Sequence, residues 1–180
     1  MKKLLAFFLA VGMMCSIAGC SLSEDILSAI QPQEKIFLLE DYDLQIVADS
    51  TFADKTGGSF DLQITNDNAY ISLMAYPYID LPEGVTPLDV LELQNDDITS
   101  KRDNVSVVEE RKTQAISQGE VVYMVYSAQK DGVKNYYATY LVDFPEAEIC
   151  VWVLVTATPS YYTSNTDYLH NIVCSLSPVS

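Results

Sequence analysis

Cys20 is the residue whose chemistry its neighbours define most closely. It closes the run Ile17-Ala18-Gly19, and a thiol behind small residues of this kind can take up diacylglycerol. Cleavage before Cys20 then frees an amino group that can itself be acylated. Cys15 does not compete, because Met14 before it is too large for the position that Gly19 fills. The preceding residues match: Lys2 and Lys3 give a positive start, and Leu4 to Val11 form an apolar run too short to span a bilayer. The spacing predicts a removed leader over 1–19, a lipidated Cys20 with a polar tether over 20–33, and a single domain over 34–180. Within the tether, Asp25 to Ile30 reads as one weak helical turn ended by Pro32. A plain secretory leader or a membrane anchor helix, with Cys20 an ordinary cysteine, is the other reading of the same residues.

This layout resembles the signal of bacterial lipoproteins. The resemblance implies a chain held by lipid on Cys20 at the extracytoplasmic face of a bacterial membrane, without crossing it. Removing residues 1–19 leaves 161 of the 180 residues, which suits one domain able to bury roughly 70% of its unfolded surface. It also takes away Lys2 and Lys3, leaving 8 basic against 25 acidic residues and a formal charge of −17. So acidic a surface repels nucleic acid and excludes it as a partner. It suits solubility after export, a basic partner or a cation.

The other reactive side chains form no catalytic pattern. His170 is the only histidine and sits at the edge of the apolar stripe of the last helix, with no nucleophile motif beside it. Gly57-Gly58-Ser59 reads as a loose loop before a strand. No metalloprotease, paired-cysteine, dinucleotide or phosphate-loop motif occurs. Glycoside hydrolysis needs only two carboxylates at a set separation, but Glu109 and Glu110 alternate faces of a strand and Asp96 and Asp97 are successive on a helix. The acidic loops lack the D-x-D-x-D-G spacing of a calcium loop. Asn104-Val105-Ser106 is a chance match to a glycosylation acceptor. No catalytic, metal-binding or cofactor-binding residue is therefore assigned. A small envelope hydrolase with dispersed carboxylates stays as the alternative to a non-enzymatic protein.

Export makes a Cys150–Cys174 disulfide chemically open, but Cys174 lies roughly 150° round the helix from the apolar stripe, which favours two unpaired thiols. Tyrosine is in excess, at 12 residues, with pairs near strand ends and loops. Such side chains combine rigid contact area with a hydroxyl, so Tyr76, Tyr78, Tyr136 and Tyr161 are the candidates for binding an unidentified protein, peptide or glycan.

The elements that must position these residues are of mixed type. Two strand pairs come first, Lys35 to Glu40 with Leu44 to Ala48, and Ser59 to Thr65 with Ala69 to Tyr76, the second joined by Asn66-Asp67-Asn68. Apolar residues on both faces of the last of these suit a sheet covered on both sides. Thr86 as N-cap, Pro87 at N1 and Asp89 at N3 open a helix with Leu88, Leu91 and Ile98 on one face, ending near Lys101 and Arg102, cations that suit its dipole. A four-strand meander follows, from Val105, Glu120, Asn135 and Glu148, with Asp131-Gly132 as its tight turn. Its last strand, Ile149 to Val155, is apolar on both faces and is predicted to be central. Ser160 or Ser164 opens a closing helix whose Leu169, Ile172, Val173 and Leu176 dock on the sheet, with Ile172 against the central strand near Trp152.

This element order, with Tyr168, Ile172 and Ser175 spaced along the closing helix and Gly119 leading into Val121-Val122-Tyr123, resembles the PsbP-like fold. That superfamily includes the extrinsic PsbP protein of photosystem II, a Ran-GTPase release factor and many bacterial lipoproteins. Asp49-Ser50-Thr51-Phe52 stands where its members often carry a Pro-x-x-Trp-like turn. The resemblance implies an α+β domain, an α-β-α sandwich around a mostly antiparallel sheet, and a binding or assembly role in the envelope without catalysis.

Overall fold

The computed structural model describes residues 33–179. The predicted leader, Cys20, and the tether up to residue 32 lie outside the described residues. Two sheets, antiparallel throughout, form the domain. The larger has seven strands in the order β3-β4-β5-β9-β8-β7-β6: β3 Ala53–Asp54, β4 Leu62–Thr65, β5 Ala69–Pro77, β6 Asp103–Ile116, β7 Gly119–Lys130, β8 Val133–Phe144 and β9 Ile149–Ala157. The smaller pairs β1 (Glu34–Leu39) with β2 (Leu44–Asp49) and adds β10 (Ser177–Pro178) on the other side of β2. Helix α1 is Pro87–Ser100, α2 is Pro159–Ser164 and α3 is Thr166–Cys174.

The local signals act as their chemistry dictates. The Thr86 side chain accepts from the Asp89 N–H while the Asp89 carboxylate accepts from the Thr86 N–H, a reciprocal capping box ahead of Pro87. Asp131 (φ 53°) and Gly132 (φ 79°) both take left-handed backbone between Lys130 and Val133, as a two-residue hairpin needs. Asn66 Oδ1 accepts from the N–H groups of Asn68 and Ala69, each at 2.9 Å, and so folds the β4–β5 turn. Gly119 is sterically required: a Cβ there would lie 1.8 Å from the Asp143 carbonyl oxygen, where β7 passes the end of β8.

The doubly apolar β9 lies fourth of seven strands, between β5 and β8. Its alternate residues serve two cores. Val151, Val153 and Val155 face one built with α2, α3 and the small sheet; Cys150, Trp152 and Leu154 face the other, covered by α1. Leu169, Ile172, Val173 and Leu176 are all buried, as their stripe predicts. Ile172 belongs to the first core and Trp152 to the second, so the expected contact between them is corrected: strand parity sends neighbouring side chains to opposite faces.

Other expectations are adjusted. Val90, Leu91 and Ile98 are buried on α1, whereas Leu88 is exposed at its first turn. The closing helix is two helices, and its N-cap is Thr158, whose side chain accepts from the Tyr161 N–H. β6 runs from Asp103 to Ile116 as an edge strand exposed along most of its length, with bulges around Glu109. The first expected strand pair forms β1 and β2 of the small sheet; β10, two residues long and ending in a proline, carries no strand signal in the sequence.

Candidate functional site

His170 lies on α3, half-buried, with its ring 4.9 Å from that of Tyr123 and 5.8 Å from that of Tyr140. Its Nε2 is 3.0 Å from Gln114 Oε1 and 3.3 Å from Cys174 Sγ. One nitrogen cannot both donate to the amide oxygen and accept the thiol proton. Burial pushes the imidazole below its ordinary value, against the pull of Glu109 and Asp167, and burial also pushes the Cys174 thiol up. A nucleophilic thiol needs the opposite shift, toward thiolate beside imidazolium, so this pair is held neutral. Cys174 and Cys150 are both free; the Cys150 thiol is buried and pushed up to about 12 by that burial and by Asp143 nearby.

Several carboxylates are engaged in structure. Asp61 accepts from the Ala75 N–H at 2.8 Å, Asp143 from the Tyr78 hydroxyl, and Asp54 from the Thr56 N–H at 2.7 Å. Glu92 and Glu109 pair with Arg111 and Lys112. Among the described residues, no three His, Cys, Asp or Glu side chains cluster as a metal site would require.

The four candidate tyrosines divide between the two cores. Tyr76 and Tyr78 pack on the α1 side; the Tyr76 hydroxyl accepts from Gln94 Nε2 at 2.9 Å and Tyr78 donates to Asp143. Tyr136 and Tyr161 pack on the α3 side, Tyr136 edge-on to Tyr162 at 5.6 Å. Of the four, Tyr161 opens onto a polar cleft of about 480 Å³ with Tyr168, Asp49, Asn66 and Asn165. Both its tyrosines are held: Asn66 Nδ2 donates to the Tyr161 hydroxyl at 3.0 Å, and the Tyr168 hydroxyl donates to Asp49. Burial alone would raise the Asp49 carboxyl, but hydrogen bonds from Thr51 and Tyr168 outweigh it and hold it below its ordinary range.

Sequence reasoning missed a second cleft, of about 400 Å³, where α1 meets β5 and β9. Trp152, Met74, Phe60 and Leu154 give it apolar walls, and Lys101, Arg102 and Lys130 bring three cations to it. Arg102 is rigidly placed, stacked over the Tyr137 ring at 4.3 Å and donating from its Nη1 to the Ile98 carbonyl at 2.7 Å. The adjacent Lys101-Arg102 is visible in sequence, but nothing local ties it to Lys130 or Trp152.

These features define an α+β scaffold in which helices and a small sheet cover a seven-stranded sheet on its two faces. No protein-family model matches the chain, and no curated protein matches it in sequence. Solved structures do match in fold. The cyanobacterial PsbP (CyanoP) of Synechocystis superposes with a TM-score of 0.60 at 5% identity, over 82% of this chain and 94% of that one. LpqN of Mycobacterium tuberculosis, described as involved in cell envelope biogenesis, gives 0.58 at 12% identity, over 86% and 95%. The Saccharomyces cerevisiae Ran-binding protein Mog1p gives 0.55 at 10% identity, over 83% and 97%. The fold is thus PsbP-like, shared at identities that carry architecture alone.

Proposed function

We propose that this chain is a lipid-anchored binding or assembly module of a bacterial envelope, acting without catalysis. The observation that carries the reading is the Ile17-Ala18-Gly19-Cys20 box, followed after a short tether by a compact domain that begins with β1 at Glu34. Among the described residues, no helix is long and apolar enough to cross a membrane. The fold it shares with a Ran-binding protein and with an envelope-biogenesis protein supports binding in preference to turnover. The neutral Cys174–His170 pair supports it from within the molecule. Of the candidate tyrosines, Tyr161 is the best placed to touch a protein, peptide or glycan, because its ring faces the open cleft with Asn165 and Asp67 beside it.

The test is membrane fractionation with intact-mass measurement, followed by capture of partners from the same membranes. A mature chain that begins at Cys20 and carries lipid, and a partner whose binding weakens on Tyr161→Ala but not on His170→Ala, are the expected results. A mature chain without lipid removes the anchor. Loss of function on His170→Ala alone, with folding intact, brings the hydrolase reading forward.

A further inference from the structure

The Trp152 cleft joins features that rarely coincide by chance in an acidic chain. Three of the ten Lys and Arg meet there in a molecule of formal charge −15, and the one carboxylate in its lining, Asp97, is already paired with Lys101. Two buried N–H donors of its own lining residues, Trp152 Nε1 and Arg102 Nε, have no acceptor anywhere in the fold. Trp152 is only 3% exposed, so solvent does not serve it. Both atoms lie behind the cleft wall, out of reach of a water-sized sphere, so an anion's contacts fall to the cationic side chains at the cleft. The opposite side of the cleft is apolar, formed by Phe60, Met74 and Leu154. Its size falls in the range of small-molecule sites.

We infer that this cleft binds a small amphipathic anion, a carboxylate or phosphate head on a short apolar body. Lys101, Arg102 and Lys130 less Asp97 leave a net charge of 3 − 1 = +2 in the lining for the head, and the Trp152 wall takes the body. A bare inorganic anion would leave that wall empty, and a neutral lipid would leave the cations unused. Large polyanions are repelled by the acidic remainder of the surface. The inference goes beyond the envelope-module reading and makes no use of Cys20, so either can fail alone.

Trp152 is the only tryptophan in the chain and reports on its own cleft. The full chain, in solution with phosphatidylcholine nanodiscs added, is titrated with octyl phosphate and octanoate while its emission is followed. A saturable shift is expected for both, with none for octanol or octylamine. Lys101→Ala combined with Lys130→Ala, both exposed and outside the core, is expected to weaken binding at least about tenfold. Discs containing phosphatidylglycerol distinguish a membrane headgroup from a free ligand: a shift without soluble ligand, lost in the double variant, assigns the head to lipid. Equal response to octanol, equal binding of inorganic phosphate and octyl phosphate, unchanged binding by the double variant, or no response in any arm overturns the inference.

Discussion

Ser175 completes the edge of β2 from the end of a helix: its Oγ accepts the Val47 N–H at 2.8 Å, just past the last turn of α3. β10 pairs with β2 only at Leu44 and Gln45, so Val47, two residues further along the same side, has no strand beside it. The hydroxyl fills that place and reaches back to the Ile172 carbonyl at 2.6 Å. With the Tyr168–Asp49 hydrogen bond, it fastens α3 across the small sheet.

Ser175→Ala therefore strands the Val47 N–H at a partly buried edge. The expected loss is about 1–2 kcal/mol, seen as a lower urea midpoint with an unchanged slope. A midpoint equal to wild type would show that water replaces the hydroxyl without penalty.

Ile172→Ala opens a cavity in the core under α3 and is expected to destabilise by about 2–4 kcal/mol. The native emission of Trp152 should stay as it is, because the two residues lie on opposite faces of β9. Thermal melting checks the first statement and the emission spectrum the second; a shifted native spectrum would contradict the two-core arrangement.

Gly119→Ala drives a methyl group to within 1.8 Å of a carbonyl oxygen, so the β7–β8 ladder has to move. A loss on the order of 3 kcal/mol is expected. Gly58→Ala meets only a φ of 77° with open space around it and should lose about 1 kcal/mol. Denaturation of both variants decides the matter, and equal losses would count against the steric account.

His170 is held below its ordinary value of 6.5, first by burial. The unfolded chain then binds a proton that the folded one resists, so stability is fully present above about 6.5 and falls as pH drops through that region. Urea midpoints at pH 7.5 and 5.5 should differ in wild type and converge in His170→Gln. A wild-type midpoint that rises on acidification would reverse the sign.

Cys20→Ala removes the thiol on which the proposed lipid depends, and the variant is expected to leave the lipid-labelled fraction and to keep its leader. Metabolic labelling with a fatty acid reads the outcome. Equal labelling of wild type and variant would move the modification elsewhere.

The parts of the fold legible in sequence are those written in adjacent residues. Thr86, Pro87 and Asp89 announce their capping box, Asp131-Gly132 its turn, and the unbroken apolar run of β9 its central place. The stripe of α3 shows what it buries but not against which face, because the covering of each face of β9 depends on where the chain goes next. That is why Ile172 and Trp152 read as neighbours in sequence and lie apart in the structure. The Trp152 cleft escaped for the same reason. In sequence Lys101 and Arg102 are cations at a helix end; only the fold brings Lys130 to them from the β7–β8 turn. Closeness to strand ends, the signal that nominates the candidate tyrosines, does not distinguish Tyr161, which lines a cleft, from Tyr76 and Tyr78, which pack beside the other core.

Gly119 carries a consequence for how such a chain can drift in evolution. Solved structures sharing this architecture agree with it at 5 to 12% of positions, identities that carry architecture alone. A site where the first carbon of any side chain strikes a backbone carbonyl is not exchangeable one residue at a time. Lineages that keep this hairpin packing should retain glycine there while the surrounding letters change, and those that lost it should show a lengthened or re-registered hairpin instead of a substitution.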